Sequence, residues 1–418
     1  MSTDGSGRER GSLPPSEALA PGSSRLPAAP PSVGGALGSR SATGRRLTGR
    51  GPNRKAPVRP GPALDGEAPT RYPQPTPRSG ARPTPDSRYP RSPLHMTVTF
   101  RDVLRAWPIV HRYLRPTPLY RYPLLSARLG FDAFVKHENH LPIGAFKVRG
   151  GVNLFANLSD AERRKGIITA TRGSHGLSMA WAARTFGSRA VIYVPKRNNP
   201  EKNALMEAMG ADLNVHGRDF DEAMAEAGAR AENDDLRFVH VANDPLLIAG
   251  VGTYALEIGE DLPDVDVIIV PVGGGSGLAG VVLTMRAIRP DVEIIAVQAE
   301  RAAPMVASLR SGEPETVESA DTFADGLATK QTFEIPFGIV KGQVDDVVTV
   351  SEDEMKEGVR TALETTHNVA EGAAAAAYAA AEKLKGRLAG KRVVLVHTGQ
   401  NIDRDTLRWA LGLFDAYA

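Results

Sequence analysis

The sequence predicts an α/β fold, with parallel-rich sheets flanked by helices. Three observations carry that expectation. From about residue 96 onward, short apolar runs alternate with segments of helical spacing. The runs are β-branched and apolar at nearly every position, as strands covered on both faces are. A glycine-rich turn, GGGSGLAG at 273–280, joins one such run to a helical segment.

Residues 1–95 stand apart. They hold more than half of the 32 prolines in a chain of 418 residues, together with many Gly, Ser, Arg and Ala. PPSVGGALGSR and RYPQPTPRSGARPTP show no apolar periodicity, so burial cannot offset the entropy of ordering. The block is expected to be a disordered, solvated tail rather than a polybasic binding arm. Met96, where composition changes, is an alternative start.

Beyond it the elements follow in order. DAFVKHEN contains a short strand, and GIITAT is a strand followed by the helical LSMAWAARTF. AVIYVP precedes the helical EKNALMEAMG, and FDEAMAEAGARAE is a further helix. RFVHVA reads as a strand and TYALEIGED as a helix. DVIIVPV, EIIAVQAE and RVVLVHT are buried strands. Ser351 and Glu354 form a capping box before EMKEGVRTALE. EGAAAAAYAAAEKLK is a strong helix former.

Composition bounds the function. Hydrophobic residues make up 41%, enough for a substantial core. The net charge is +3, yet basic residues exceed acidic ones by about nine before residue 96, leaving the remainder acidic by about six. A nucleic-acid surface on the folded part is therefore unsupported. No cysteine is present, which excludes disulfides, thiolate metal sites and Cys nucleophiles. No apolar run has transmembrane length and no signal-peptide core follows Met1, so a cytoplasmic protein is expected.

Backbone N–H groups of a glycine turn at a helix start can cradle a phosphate. Gly275, Gly277 and Gly280 also spell G-x-G-x-x-G, and Glu300 ends the next strand where a ribose partner would sit. From this loop alone, NAD, another phosphorylated cofactor, or a packing turn remain open. Gly273 extends the loop toward the strand, which suits a compact phosphate.

KHENHLPIGAFKVRGG, 136–151, carries the second signal. Lys147 lies between Phe146 and Val148 near a helix start; apolar surroundings would favour its neutral amine, the form needed for Schiff-base chemistry. Local pattern alone still favours a surface lysine. Lys136, Glu138, Pro142, Gly144, Phe146, Lys147, Arg149 and Gly150 match the motif K-x-E-x-x-x-P-[ST]-G-S-F-K-x-R-G. TRGSHGLSMAWAA, DPLLIAGVGTYALEI, VPVGGGSGLAG, ADGLA and VHTGQN follow in the matching order, from about residue 100 to the C-terminus. Together they resemble the fold-type II pyridoxal-phosphate enzymes, the threonine and serine dehydratase family, tryptophan synthase β-like in fold.

The resemblance implies two α/β domains, the larger from 96–165 with 246–418 and the smaller from 166–245, with the cofactor between them. Lys147 would bind pyridoxal 5'-phosphate covalently, beside Phe146, and later remove the substrate α-proton. The N–H groups of Gly273, Gly274, Gly275, Ser276 and Gly277 would hold the phosphate. Thr398 would meet the pyridine nitrogen, and Ser174 the ring hydroxyl. Thr171, Arg172, Gly173 and His175 would bind the substrate carboxylate. The implied reaction eliminates water from a 3-hydroxy amino acid, giving a 2-oxo acid and ammonia. The implied assembly is a homodimer or homotetramer, with no membrane or nucleic-acid partner.

Several positions depart from the family pattern. Ala145 replaces a serine, and Ser174 replaces an asparagine. Arg172 stands where serine racemases carry a hydroxyl base, which argues against racemisation. Gln298 and Pro304 replace acidic ligands of a divalent-cation site, so no metal is expected there. His137 and His140 flank Glu138 with metal-like spacing, but loop polarity is the better reading. Glu371 either faces the site or begins the alanine-rich helix. The sequence runs only a little past Asn401, so the regulatory domain of biosynthetic threonine dehydratases is not expected. The rivals are a β-replacement synthase of the same fold, an NAD-dependent dehydrogenase and a catalytically silent relative.

Overall fold

In the computed structural model, which describes residues 97–413, ten strands form two sheets. The strands are β1 Leu119–Arg121, β2 Asp132–His137, β3 Ile167–Ala170, β4 Ala190–Val194 and β5 Asp212–Val215. They continue with β6 Arg237–Phe238, β7 Val267–Pro271, β8 Glu293–Ala299, β9 Asp346–Val350 and β10 Arg392–His397. One sheet has the order β1-β2-β10-β7-β8-β9, parallel except for the β1–β2 pair. The other has the order β5-β4-β3-β6 and is parallel throughout. The tail and the alternative start at Met96 lie outside the described residues.

The central strands match the apolar runs. β3, β4 and β7 are buried at every position, so each needs helices on both faces. Gly372–Leu388 supplies one of them: its alanines are buried on all sides, and small side chains let neighbouring elements approach closely. A Cβ at Gly358 would collide with the Ala375 carbonyl, so the preceding helix Glu352–Thr366 packs backbone to backbone there. The capping box of Ser351 and Glu354 starts that helix, with Glu354 N–H donating to Ser351 Oγ at 3.2 Å.

RFVHVA departs from expectation. Only Arg237 and Phe238 belong to a strand. Past Val239 the chain turns at His240, whose Nδ1 accepts from the N–H groups of Ala242 at 3.2 Å and Asn243 at 2.9 Å. No helix among the described residues is long and apolar enough to cross a membrane.

Candidate active site

Lys147 caps the helix Val148–Ala156, where the chain leaves an extended loop. Its loop is stitched to the segment after β10. Phe146 N–H donates to the Thr398 carbonyl at 3.1 Å, and Gln400 N–H to the Gly144 carbonyl at 2.9 Å. Asn401 Nδ2 donates to the Ile143 carbonyl at 2.8 Å. Gly144 takes a left-handed φ of 68°, a conformation that favours glycine. Ala145 is buried in a bridge with Gly399. The Lys147 amine donates to Ser276 Oγ at 2.8 Å and to the Val241 carbonyl at 3.2 Å. Withdrawal from water pushes its pKa down to about 8.

The glycine loop lies opposite. It runs from β7 to the helix Ser276–Ile288, and Gly275 at φ 93° is its left-handed N-cap. A Cβ at Gly273 would collide with the Gly326 carbonyl, and one at Gly274 would stand 2.8 Å from Ala242 Cβ. The N–H groups from Gly273 to Gly277 donate to no described protein group, so a row of donors faces the cleft. Gly280 does different work: a Cβ there would stand 2.8 Å from Gly252 N, so it permits close helix packing. Buried Gln298 braces the loop base, donating to the Val272 carbonyl at 3.1 Å and accepting from Val306 N–H at 3.0 Å.

Thr398 directly follows β10, with its hydroxyl oxygen buried and without a partner among the described residues. An orphaned buried hydroxyl is costly and marks a place for a ligand atom. One cleft, about 470 Å³ including its open mouth, is lined by Phe146, Lys147, Ser174, Gly273–Gly277, Glu371 and Thr398.

The other wall is the turn from β3 into the helix Ser174–Thr185. Thr171 Oγ1 accepts from Gly173 N–H at 2.9 Å and Gly176 N–H at 3.2 Å, so its hydroxyl shapes the turn from within. The N–H groups of Arg172, Ser174 and His175 donate to no described protein group. The His175 ring is buried against Thr169 Oγ1 at 2.9 Å. Burial, followed by the charge of Lys147, lowers its pKa well below the ordinary histidine value. The same causes bring His240 to about 4.

Lys202 on this wall and Asp325 on the opposite one were given no role from sequence. Lys202 is nearly buried beside Gly173 and donates to Asp325 Oδ2 at 2.8 Å. Neither reads as special locally, because EKNALMEAMG is a plain helix and ADGLA a plain turn. The H-E-N-H residues are spoken for by neighbours: His137 bonds Tyr122 Oη at 2.8 Å and stacks on His140, while Glu138 pairs with Arg149 at 2.7 Å. Glu300 is exposed at the end of β8, away from any ribose-like setting.

An amine of lowered pKa, a row of free N–H donors and an orphaned hydroxyl around one cleft fit a ring that carries an aldehyde, a phosphate and a basic nitrogen. Those are the functional groups of pyridoxal phosphate. Comparison with known proteins agrees. Residues 110–399 match the family model described as pyridoxal-phosphate dependent enzyme. An L-threonine ammonia-lyase of Thermotoga maritima is 40% identical over 306 residues, covering 73% of this chain and 76% of that one. The catabolic L-threonine dehydratase TdcB of Escherichia coli is 33% identical, covering 77% of this chain and all of that one. The processed threonine deaminase isoform 2 of Solanum lycopersicum superposes with TM-score 0.72 at 30% identity, over 78% of this chain and 100% of that one. The dehydrogenase alternative falls with these matches. With Lys147, the glycine loop and Thr398 all inside the matched span, the chain belongs to the family of pyridoxal-phosphate dependent enzymes.

Proposed function

We propose that this enzyme is an ammonia-lyase of the threonine and serine dehydratase kind. The observation that carries the reading is the Lys147 amine, of depressed basicity, held above the glycine loop. The names of the relatives support threonine as a substrate. When bound, pyridoxal phosphate supplies an electron sink that makes the α-proton of an amino acid acidic.

The chain's own residues do the rest. Gly273–Gly277 and the start of the helix Ser276–Ile288 anchor a dianion through N–H donors and the helix dipole. Thr398 offers a hydroxyl to the ring nitrogen; unlike a carboxylate, it does not enforce a positive charge there. That favours prompt loss of a β-substituent over transamination. The free N–H groups of Arg172, Ser174 and His175 orient the substrate carboxylate. Lys147 accepts the α-proton at Nζ, and the neutral rings of His175 and His240 leave its amine free of cationic neighbours on that side. Water leaves from the β-carbon, and hydrolysis of the resulting enamine releases a 2-oxo acid and ammonia.

Residues 166–245 form the smaller domain in this reading, and the cleft lies against it. Association into a homodimer or homotetramer belongs to the same reading, and light scattering would measure it. The test of the reaction is 2-oxo acid and ammonia release from threonine and serine by holoenzyme. Incorporation of an added nucleophile in place of oxo acid release would instead make it a β-replacement synthase.

A further inference from the structure

Arg172 and Lys202 meet Asp325 beside the cleft, next to Gly173 and Glu371. Arg172 and Lys202 come from the side of the four-stranded sheet, on the turn after β3 and in the helix Pro200–Ala208. Asp325 reaches them from the segment after β8, which belongs to the six-stranded side. Lys202 Nζ lies 2.8 Å from Asp325 Oδ2 and 3.9 Å from Glu371. Arg172 is held less well: its nearest carboxylate oxygen, on Asp325, is 3.8 Å away, beyond hydrogen-bond length. The Arg172 Nε is buried and has no partner among the described residues.

The carboxylates are shared unevenly: Lys202 has Asp325, Glu371 and Asp403 around it, whereas Arg172 has only Asp325 within ion-pair reach among the described residues. Burial raises the pKa of Glu371, against the pull of the Lys202 charge. Asp325 lies within ion-pair distance of both cations and hydrogen-bonds only Lys202. The guanidinium keeps a free fork, a geometry that matches a carboxylate bidentately. Its backbone N–H already belongs to the turn that would take the α-carboxylate, so the side chain is available for a second acid group on the same substrate. A methyl side chain would leave that fork unpaired at a partly desolvated mouth, which is unfavourable.

We propose that Arg172, supported by Lys202, forms a second anion subsite, and that the preferred substrate is a 3-hydroxy amino acid with a side-chain carboxylate. This rests on the dehydratase reading above. The reaction is unchanged in its balance: the α-proton and β-hydroxyl leave as water, and hydrolysis then yields a 2-oxo dicarboxylic acid and ammonia.

The experiment compares kcat/KM of holoenzyme for 3-hydroxyaspartate, threonine and serine, in wild type and Arg172→Met. The wild type is expected to favour 3-hydroxyaspartate by roughly tenfold or more, the scale on which an unmet polar group discriminates. Arg172→Met is expected to lose roughly tenfold more on 3-hydroxyaspartate than on threonine, chiefly through KM. A second measurement needs no variant: malate should compete with substrate at concentrations where lactate does not. A wild type that prefers threonine, equal losses on both substrates, or equal inhibition by malate and lactate would overturn the second subsite while leaving the reaction standing. Oxo acid from none of the substrates would overturn the reaction itself.

Discussion

The Lys147 amine hydrogen-bonds Ser276 Oγ at 2.8 Å across 129 residues of sequence, which parks the reactive group over the first helical residue of the glycine loop. A lysine in water stays cationic to a pKa near 10.5; here the loss of solvation brings it to about 8. Cofactor capture needs the neutral amine. The rate at which cofactor-free protein binds pyridoxal phosphate should therefore rise with pH through about 8, and at pH 7 about a tenth of the amine should be competent. Stopped-flow absorbance measures this. Borohydride treatment should label Lys147, and Lys147→Ala should show neither the visible band nor the label.

Gly273→Ala sets a methyl group against the Gly326 carbonyl, and neither backbone can yield without moving the loop. The substitution should cost about 1–3 kcal/mol in stability and weaken cofactor binding. Denaturant titration and the cofactor dissociation constant report the two effects. Gly280→Ala should cost stability through its contact with Gly252, with a smaller effect on the cofactor.

Thr398→Val separates ligand function from folding. The hydroxyl has no partner to lose among the described residues, so cofactor-free protein should be as stable as wild type or more stable by about 1 kcal/mol. Holoenzyme should have a lower cofactor affinity and a shifted visible spectrum. A destabilised cofactor-free protein would point to a structural role for the hydroxyl.

Arg149 is fully buried between Glu138 and Glu257, with contacts of 2.7 Å and 2.6 Å, and Lys136 joins Glu257 at 2.7 Å. Arg149→Met should destabilise by about 3–5 kcal/mol, because two buried carboxylates lose their common cation. Arg149 and Lys136 overcome burial to hold Glu257 at about 2, below its ordinary 4.5. A depressed carboxylate contributes stability that is present above pH 4.5 and lost as pH falls toward 2. Glu257→Gln should accordingly flatten the acid limb of a stability-against-pH curve over that window.

Much of this arrangement could be read from sequence, for identifiable reasons. β7, β8 and β10 announce themselves because strands buried on both faces need unbroken β-branched runs. Lys147 and Gly273–Gly277 lie in short stretches whose spacing carries their chemistry. β5 and β9 escaped notice because DLNV and DVVTV are half polar, and the helix Phe100–Tyr113 contains Pro108, an ordinary helix breaker. The contacts of Lys202 and Arg172 with Asp325 were beyond reach for another reason. They join opposite walls of the cleft, and local periodicity carries no trace of a pairing made only by the folded chain.

The stitching of Phe146 to Thr398 has a consequence for turnover. The glycine loop follows β7 and Thr398 follows β10, both in the six-stranded sheet, whereas the turn from Thr171 to His175 follows β3 in the four-stranded sheet. A cofactor held by the first group and a substrate carboxylate held by the second would draw on different sheets. Catalytic throughput and cofactor retention would then be governed by separate parts of the molecule, and could be tuned independently.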